Sequence, residues 1–146
     1  MPRFAAAAKT VCAARTAALA VCAVLSAAAP VAGADSGTPP PYIDRVRWVS
    51  YSGLSTLRVY PTAAGREVAG SVGKTATQSD EAWGEVVALA PDANTAGMRS
   101  QFLCHWRFAE FAEPGKTSWD LESWRPAVDD NTMVLSGCNP GGAEKG

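Results

Sequence analysis

The first 34 residues constrain this chain more than any other stretch, because they read as a leader that the folded protein does not keep. Arg3, Lys9 and Arg15 put positive charge at the start. An Ala/Val-rich apolar run follows from Thr16 to Ala32, and Ala32-Gly33-Ala34 stands just before Asp35. Basic residues, an apolar stretch and a small-x-small site, in that order, form the pattern of a cleavable secretory signal. The expected location is thus secreted, either extracellular or in the cell envelope. A retained anchor fits less well, since a spanning helix needs about 20 apolar residues and this run is broken by Ser26 and Pro30. No stable membrane insertion is expected after cleavage. Leu19-Ala20-Val21-Cys22 loosely resembles a lipidation box, but Val21 is bulky where a small residue must precede the cysteine, and the apolar run continues past it.

Cleavage changes both charge and cysteine content. The leader carries three of the 13 Lys and Arg and none of the 14 Asp and Glu, which leaves 10 basic against 14 acidic residues, a net of −4. Mild acidity with no basic run argues against nucleic acid or anionic lipid as partner. Cys12 and Cys22 depart with the leader, so Cys104 and Cys138 remain, an even pair expected to close one disulfide in an oxidising compartment. On the chain-entropy argument a bridge between those positions contributes roughly 4 kcal/mol, a large share of a single domain's stability.

Within the mature chain, Asp35 to Pro41 is polar and proline-rich and reads as a flexible linker, residues 35–41. A single domain is expected over 42–138, followed by a disordered tail, 139–146. Ile43 to Tyr51 alternates, with Val46 and Trp48 on one face and Arg45, Arg47 and Val49 on the other, and Leu54 to Tyr60 follows Ser52-Gly53. Together they predict an antiparallel hairpin. Thr62 to Ser79 predicts a loop, or a loop with one short strand at Val68 to Val72. Ser79-Asp80-Glu81 looks like a helix start, with Trp83, Val86, Val87 and Ala90 at helical spacing and a further turn from Asn94 or Thr95 to Ser100. From Gln101 the period reads as two, predicting a strand with Phe102, Cys104, Trp106 and Phe108 on one face. Thr117 to Trp124 and Met133 to Cys138 predict two more strands. The expected fold class is α+β: a small antiparallel sheet with one principal helix packed on it, and one disulfide.

Three blocks carry a resemblance. Gln101-Phe102-x-Cys104-His105-Trp106, Trp119-x-Leu121-Glu122-x-Trp124-Arg125-Pro126 and Cys138-Asn139-Pro140-Gly141-Gly142, with Val46-Arg47-Trp48-Val49 and Leu57-Arg58-Val59-Tyr60-Pro61 ahead of them, resemble a family of small secreted actinobacterial proteins catalogued as a domain of unknown function. The resemblance implies secretion, one domain and the Cys104–Cys138 pairing. It implies no substrate and no catalytic residue.

Few constellations carry chemistry. Residues 68–75 approach a phosphate-binding loop, but Val68 stands where the first glycine is required, so a glycine-rich loop is the simpler reading. His105 is the single histidine, which excludes any metal site built on two histidines and leaves one candidate for acid–base work. A structural hydrogen bond is the plainer role for it. Asp120 and Glu122, two apart on a strand between Trp119 and Trp124, are the carboxylate pair a glycosidase would use; a solvated face with Glu122 paired to an arginine is the plainer account. Asp129-Asp130-Asn131 lacks calcium-loop spacing and reads as a turn. No metal and no cofactor are expected.

The five tryptophans are the strongest remaining signal. Trp48, Trp83 and Trp106 fit a core by periodicity, whereas Trp119 and Trp124 lie among prolines and charges. A surface of Trp119, Glu122, Trp124 and Arg125 would suit a cell-wall glycan or an extracellular protein; a Trp-rich core with Arg125 stacked on Trp124 is the more economical alternative. The functional expectation is a secreted or envelope-associated binding module. A hydrolase using His105 or the Asp120/Glu122 pair, and a steric inhibitor or structural protein, are the alternatives.

Overall fold

Alternation from Ile43 to Pro61 builds the expected hairpin. Strand β1 (Ile43–Tyr51) and strand β2 (Leu54–Pro61) pair antiparallel, with Trp48 opposite Leu57 and Arg47 opposite Arg58. Their connection is Ser52-Gly53, with φ of +50° and +79°, the doubly left-handed turn whose twist suits a two-residue hairpin. This computed structural model describes residues 37–142. The expected signal, 1–34, lies outside the described residues, as do the first two linker positions and 143–146.

Strand β3 (Trp119–Glu122) joins the other side of β2, with Val59 opposite Trp119 and Leu57 opposite Leu121, so the sheet order is β1-β2-β3. Among the described residues four helices accompany it: α1 (Ala63–Ala69), α2 (Ala76–Leu89), α3 (Ala96–Ala112) and α4 (Asp130–Leu135), with a 3-10 turn at Pro91–Ala93. The class is α+β with an antiparallel sheet and one disulfide, as expected. Leu57, Val59, Trp119 and Leu121 point from one sheet face into a core completed by Trp83 and Val86 of α2 and by Met98, Phe102 and Trp106 of α3. Trp106 meets Trp119 edge-on at 6.1 Å between ring centroids, and Phe102 lies 5.4 Å from Trp83. Aromatic pairs of this kind add to what burial alone contributes.

Several expected elements take another form. Residues 101–108 are not a strand but the middle of α3, the longest helix among the described residues. Its buried set, Met98, Gln101, Phe102, Cys104, His105, Trp106 and Ala109, repeats at three and four, and Phe108, which a strand would bury, is exposed. Packed by the sheet on one side and by α4 on another, α3 is buried on several sides, polar Gln101 and His105 included, which hides its period. Met133 to Cys138 is likewise not a strand. Asp129 caps α4 by accepting from the Thr132 N–H at 3.0 Å, and the chain then turns through Gly137 and Cys138, both at positive φ. Val68 and its neighbours end α1, whose N-cap Thr62 follows directly on β2. Helix α2 starts before Ser79, at a capping box formed by Thr75 and Gln78. Two long helices, α2 and α3, replace the one principal helix expected.

Close approaches explain two local choices. A Cβ at Gly65 would stand 2.1 Å from the Tyr42 carbonyl oxygen, so only glycine lets α1 pack against the start of β1. There the Glu85 carboxylate accepts from the Tyr42 and Ile43 N–H groups at 2.8 and 2.7 Å, which ties α2 to the same end of β1. The stretch expected as a linker is held down as well. Thr38 donates to Glu67 at 2.7 Å, and Thr62 donates to the Pro41 carbonyl at 2.8 Å.

Candidate binding face

Three of the four residues expected to form an aromatic recognition surface are buried. Trp119 is fully enclosed, because its side of β3 faces α3. Glu122 and Arg125 are 4% and 5% exposed and form an ion pair with each other. Arg125 also donates to the Pro140 and Gly142 carbonyls at 3.0 and 2.6 Å, so it clasps the first part of the segment expected as a tail onto the domain. Gly141, at φ +87°, completes that clasp, since a Cβ there would meet the Pro126 ring at 2.9 Å. Trp124 alone is half-buried, with the Arg125 guanidinium 4.5 Å from its ring centroid. The Trp119–Arg125 stretch is thus mainly scaffold.

The candidate catalytic groups are engaged in the same way. Asp120 faces Arg58 at 3.4 Å and accepts from Ser118 at 2.8 Å, while Glu122 turns toward Arg125, so the two carboxylates do not flank a common cleft. His105 sits on α3 with Nδ1 2.9 Å from the Gln101 carbonyl oxygen, a bond in which the ring N–H donates. It lines a groove of about 360 Å³ with Phe108, Val134, Cys138 and Asn139. Cys104 and Cys138 are bridged as expected, with their Cα atoms 5.6 Å apart.

Residues 68–75 do not make a phosphate loop. They run from the end of α1 into the capped start of α2, and Lys74 donates back to the Ala69 and Ser71 carbonyls at 2.8 and 3.1 Å. Burial pushes its ammonium below the ordinary lysine value. Among the described residues no group of three or more His, Cys, Asp or Glu side chains is placed to hold a metal ion.

What remains is the sheet face turned away from the core. Strand alternation puts Arg45, Arg47, Val49 and Tyr51 of β1, Arg58 and Tyr60 of β2 and Asp120 of β3 on that side, and none of them belongs to the core. Arg45 lies 4.0 Å over the Tyr60 ring and pairs with Asp44 at 2.5 Å. Arg58 donates to the Tyr51 hydroxyl at 2.8 Å and lies 5.6 Å from that ring. The charge of Asp120, with Tyr51 and Tyr60 assisting, raises the Arg58 guanidinium above its already high ordinary value. Arg47 makes no ion pair with any described residue. Trp48, expected in the core, is 39% exposed, because α2 covers only the Ile43 end of this edge strand. Searching for basic runs misses this face. The available signal was the hairpin register, since folding the chain at Ser52-Gly53 puts Arg47 across from Arg58.

The fold and the bridge define a small disulfide-bonded α+β domain. The chain belongs to the family described as "Protein of unknown function (DUF2599)", whose profile matches residues 43–141. It is similar to uncharacterized proteins of Mycobacterium tuberculosis and Mycobacterium bovis, each 52% identical over 106 residues, covering 73% of this chain and 70% of the relative. An uncharacterized protein of Mycobacterium leprae is 45% identical over 104 residues, 71% of this chain and 83% of the relative. The actinobacterial family expected from the sequence blocks is therefore the right one. No solved structure matches the chain.

Proposed function

We propose that this protein is a secreted, envelope-associated binding module that holds a cell-wall glycan through the outward face of its three-stranded sheet. The observation that carries this reading is the composition of that face. Tyr51, Tyr60 and three arginines sit on the side of the sheet opposite the core, and tyrosine rings of this kind stack on sugar rings while their hydroxyls hydrogen-bond. The alternative hydrolase has less support, since Asp120 and Glu122 are each committed to an arginine. The Trp119, Glu122, Trp124 and Arg125 group contributes by shaping the β3 edge.

The test is co-sedimentation of the secreted protein with insoluble cell-wall polysaccharide, with tryptophan fluorescence read on the same samples. Retention is expected, falling severalfold in Tyr51→Ala with an unchanged melting temperature. No retention of the natural protein, or retention indifferent to Tyr51, would overturn the reading.

A further inference from the structure

We infer that the ligand of this face is an acidic polysaccharide, and that Arg47 is the residue that docks its anionic groups. This rests on the outward sheet face being the binding surface, and it adds the charge of the ligand and the residue that reads it.

The argument begins with an arrangement that does nothing for the fold. Arg47 and Arg58 are direct cross-strand partners, and like charges so placed repel. Arg45 lies two residues from Arg47 on the same strand face, a spacing of about 7 Å. Three guanidinium groups therefore share one small area in a chain whose acidic residues outnumber its basic ones, 14 to 13. Asp44 offsets Arg45 and Asp120 offsets Arg58. Arg47, between them and exposed, has no carboxylate partner among the described residues.

The neighbours also make the site stiff. Arg45 is fixed over Tyr60, and Arg58 is fixed by Tyr51 and Asp120. Their positive field is in place before a ligand arrives, so little ordering is needed on binding. An incoming carboxylate or phosphate oxygen pair matches the planar fork of Arg47, which can donate two parallel hydrogen bonds. Tyr60, diagonal to Arg47 across the strand pair, and Tyr51, four residues further along β1, put aromatic rings on the same face. Rings of this kind suit sugar rings, which favours an acidic glycan over a bare polyanion. Because β1 is an edge strand, a long polymer can reach the face from the side.

The experiment measures binding of the secreted protein to polygalacturonate, to its fully methyl-esterified form and to single-stranded DNA, across a range of salt. Binding to the acidic polymer is expected to weaken steeply with salt and to fall roughly tenfold in Arg47→Gln. Esterification should abolish it, and DNA should bind far less. Arg47→Gln should melt no lower than the natural protein, because it relieves the repulsion with Arg58. Arg47→Glu should bind nothing. Equal binding of acidic and esterified polymer, lost only in Tyr51→Ala, would overturn the charge inference while leaving the glycan reading intact. Binding insensitive to Tyr51 and to Arg47 alike would remove both. DNA retained as well as polygalacturonate would overturn the acidic-glycan assignment.

Discussion

Glu122 and Arg125 look in sequence like half of a recognition patch, and burial turns them into a brace. Each lies inside the domain, and a buried ion pair holds the fold only while both members are present. Glu122→Ala would leave the Arg125 guanidinium buried and should cost about 3–5 kcal/mol, read as a shift in the urea-unfolding midpoint. Replacing both residues with apolar ones of similar size should recover much of that loss. Gln101 acts beside them. Its amide donates to the Glu122 carbonyl at 3.0 Å and accepts from the Glu122 N–H at 2.9 Å, so a side chain of α3 takes the place of a fourth strand at the edge of β3. Nothing in the local sequence around Gln101 announces this, because its partner stands 21 residues away.

At the scale of elements, legibility followed local chemistry. The hairpin was readable because Ser52-Gly53 separates two alternating runs, and the helix around Trp83 because its apolar spacing is unambiguous. Helix α3 was not, since residues 101–108 satisfy a period of two and a helical period at once, and only the covering of several of its sides decides between them. The short α4 depends on its cap. Hydrogen bonds from the Thr132 side chain and backbone hold the Asp129 carboxyl below its ordinary value. A depressed folded value means that this contribution is complete above the unfolded carboxylate range and is lost as pH falls through the folded value. Residues 130–135 should therefore loosen in acid, below about pH 4, seen as faster amide exchange there. Asp129→Asn, which keeps a capping oxygen, should flatten that dependence; an unaltered acid response would show that another group controls it.

At the scale of the molecule, two buried clusters among the described residues share the load. The larger joins the sheet to α1, α2 and α3, while Cys104, Met133 and Cys138 form a separate one under α4. The bridge spans 34 residues of sequence, so replacing both cysteines with serine should lower stability by roughly 4 kcal/mol. Exchange should rise first in α4 and in the segment that Arg125 clasps, with the sheet holding longest. Uniform loss across the domain would argue that the two clusters unfold as one.

The sequence by itself determined the α+β class, the hairpin and its turn, the pairing of Cys104 with Cys138 and the family, because each depends on residue identity over short spans. Tertiary structure decided which tryptophans are core, that α3 is a helix, and that Glu122 and Arg125 are internal. It also decided that the hairpin face carrying Arg45, Arg47 and Arg58, on two successive strands, is the one turned away from the core. Burial and charge density depend on which neighbours arrive from distant parts of the chain, and a linear pattern holds no record of that until the sheet has formed.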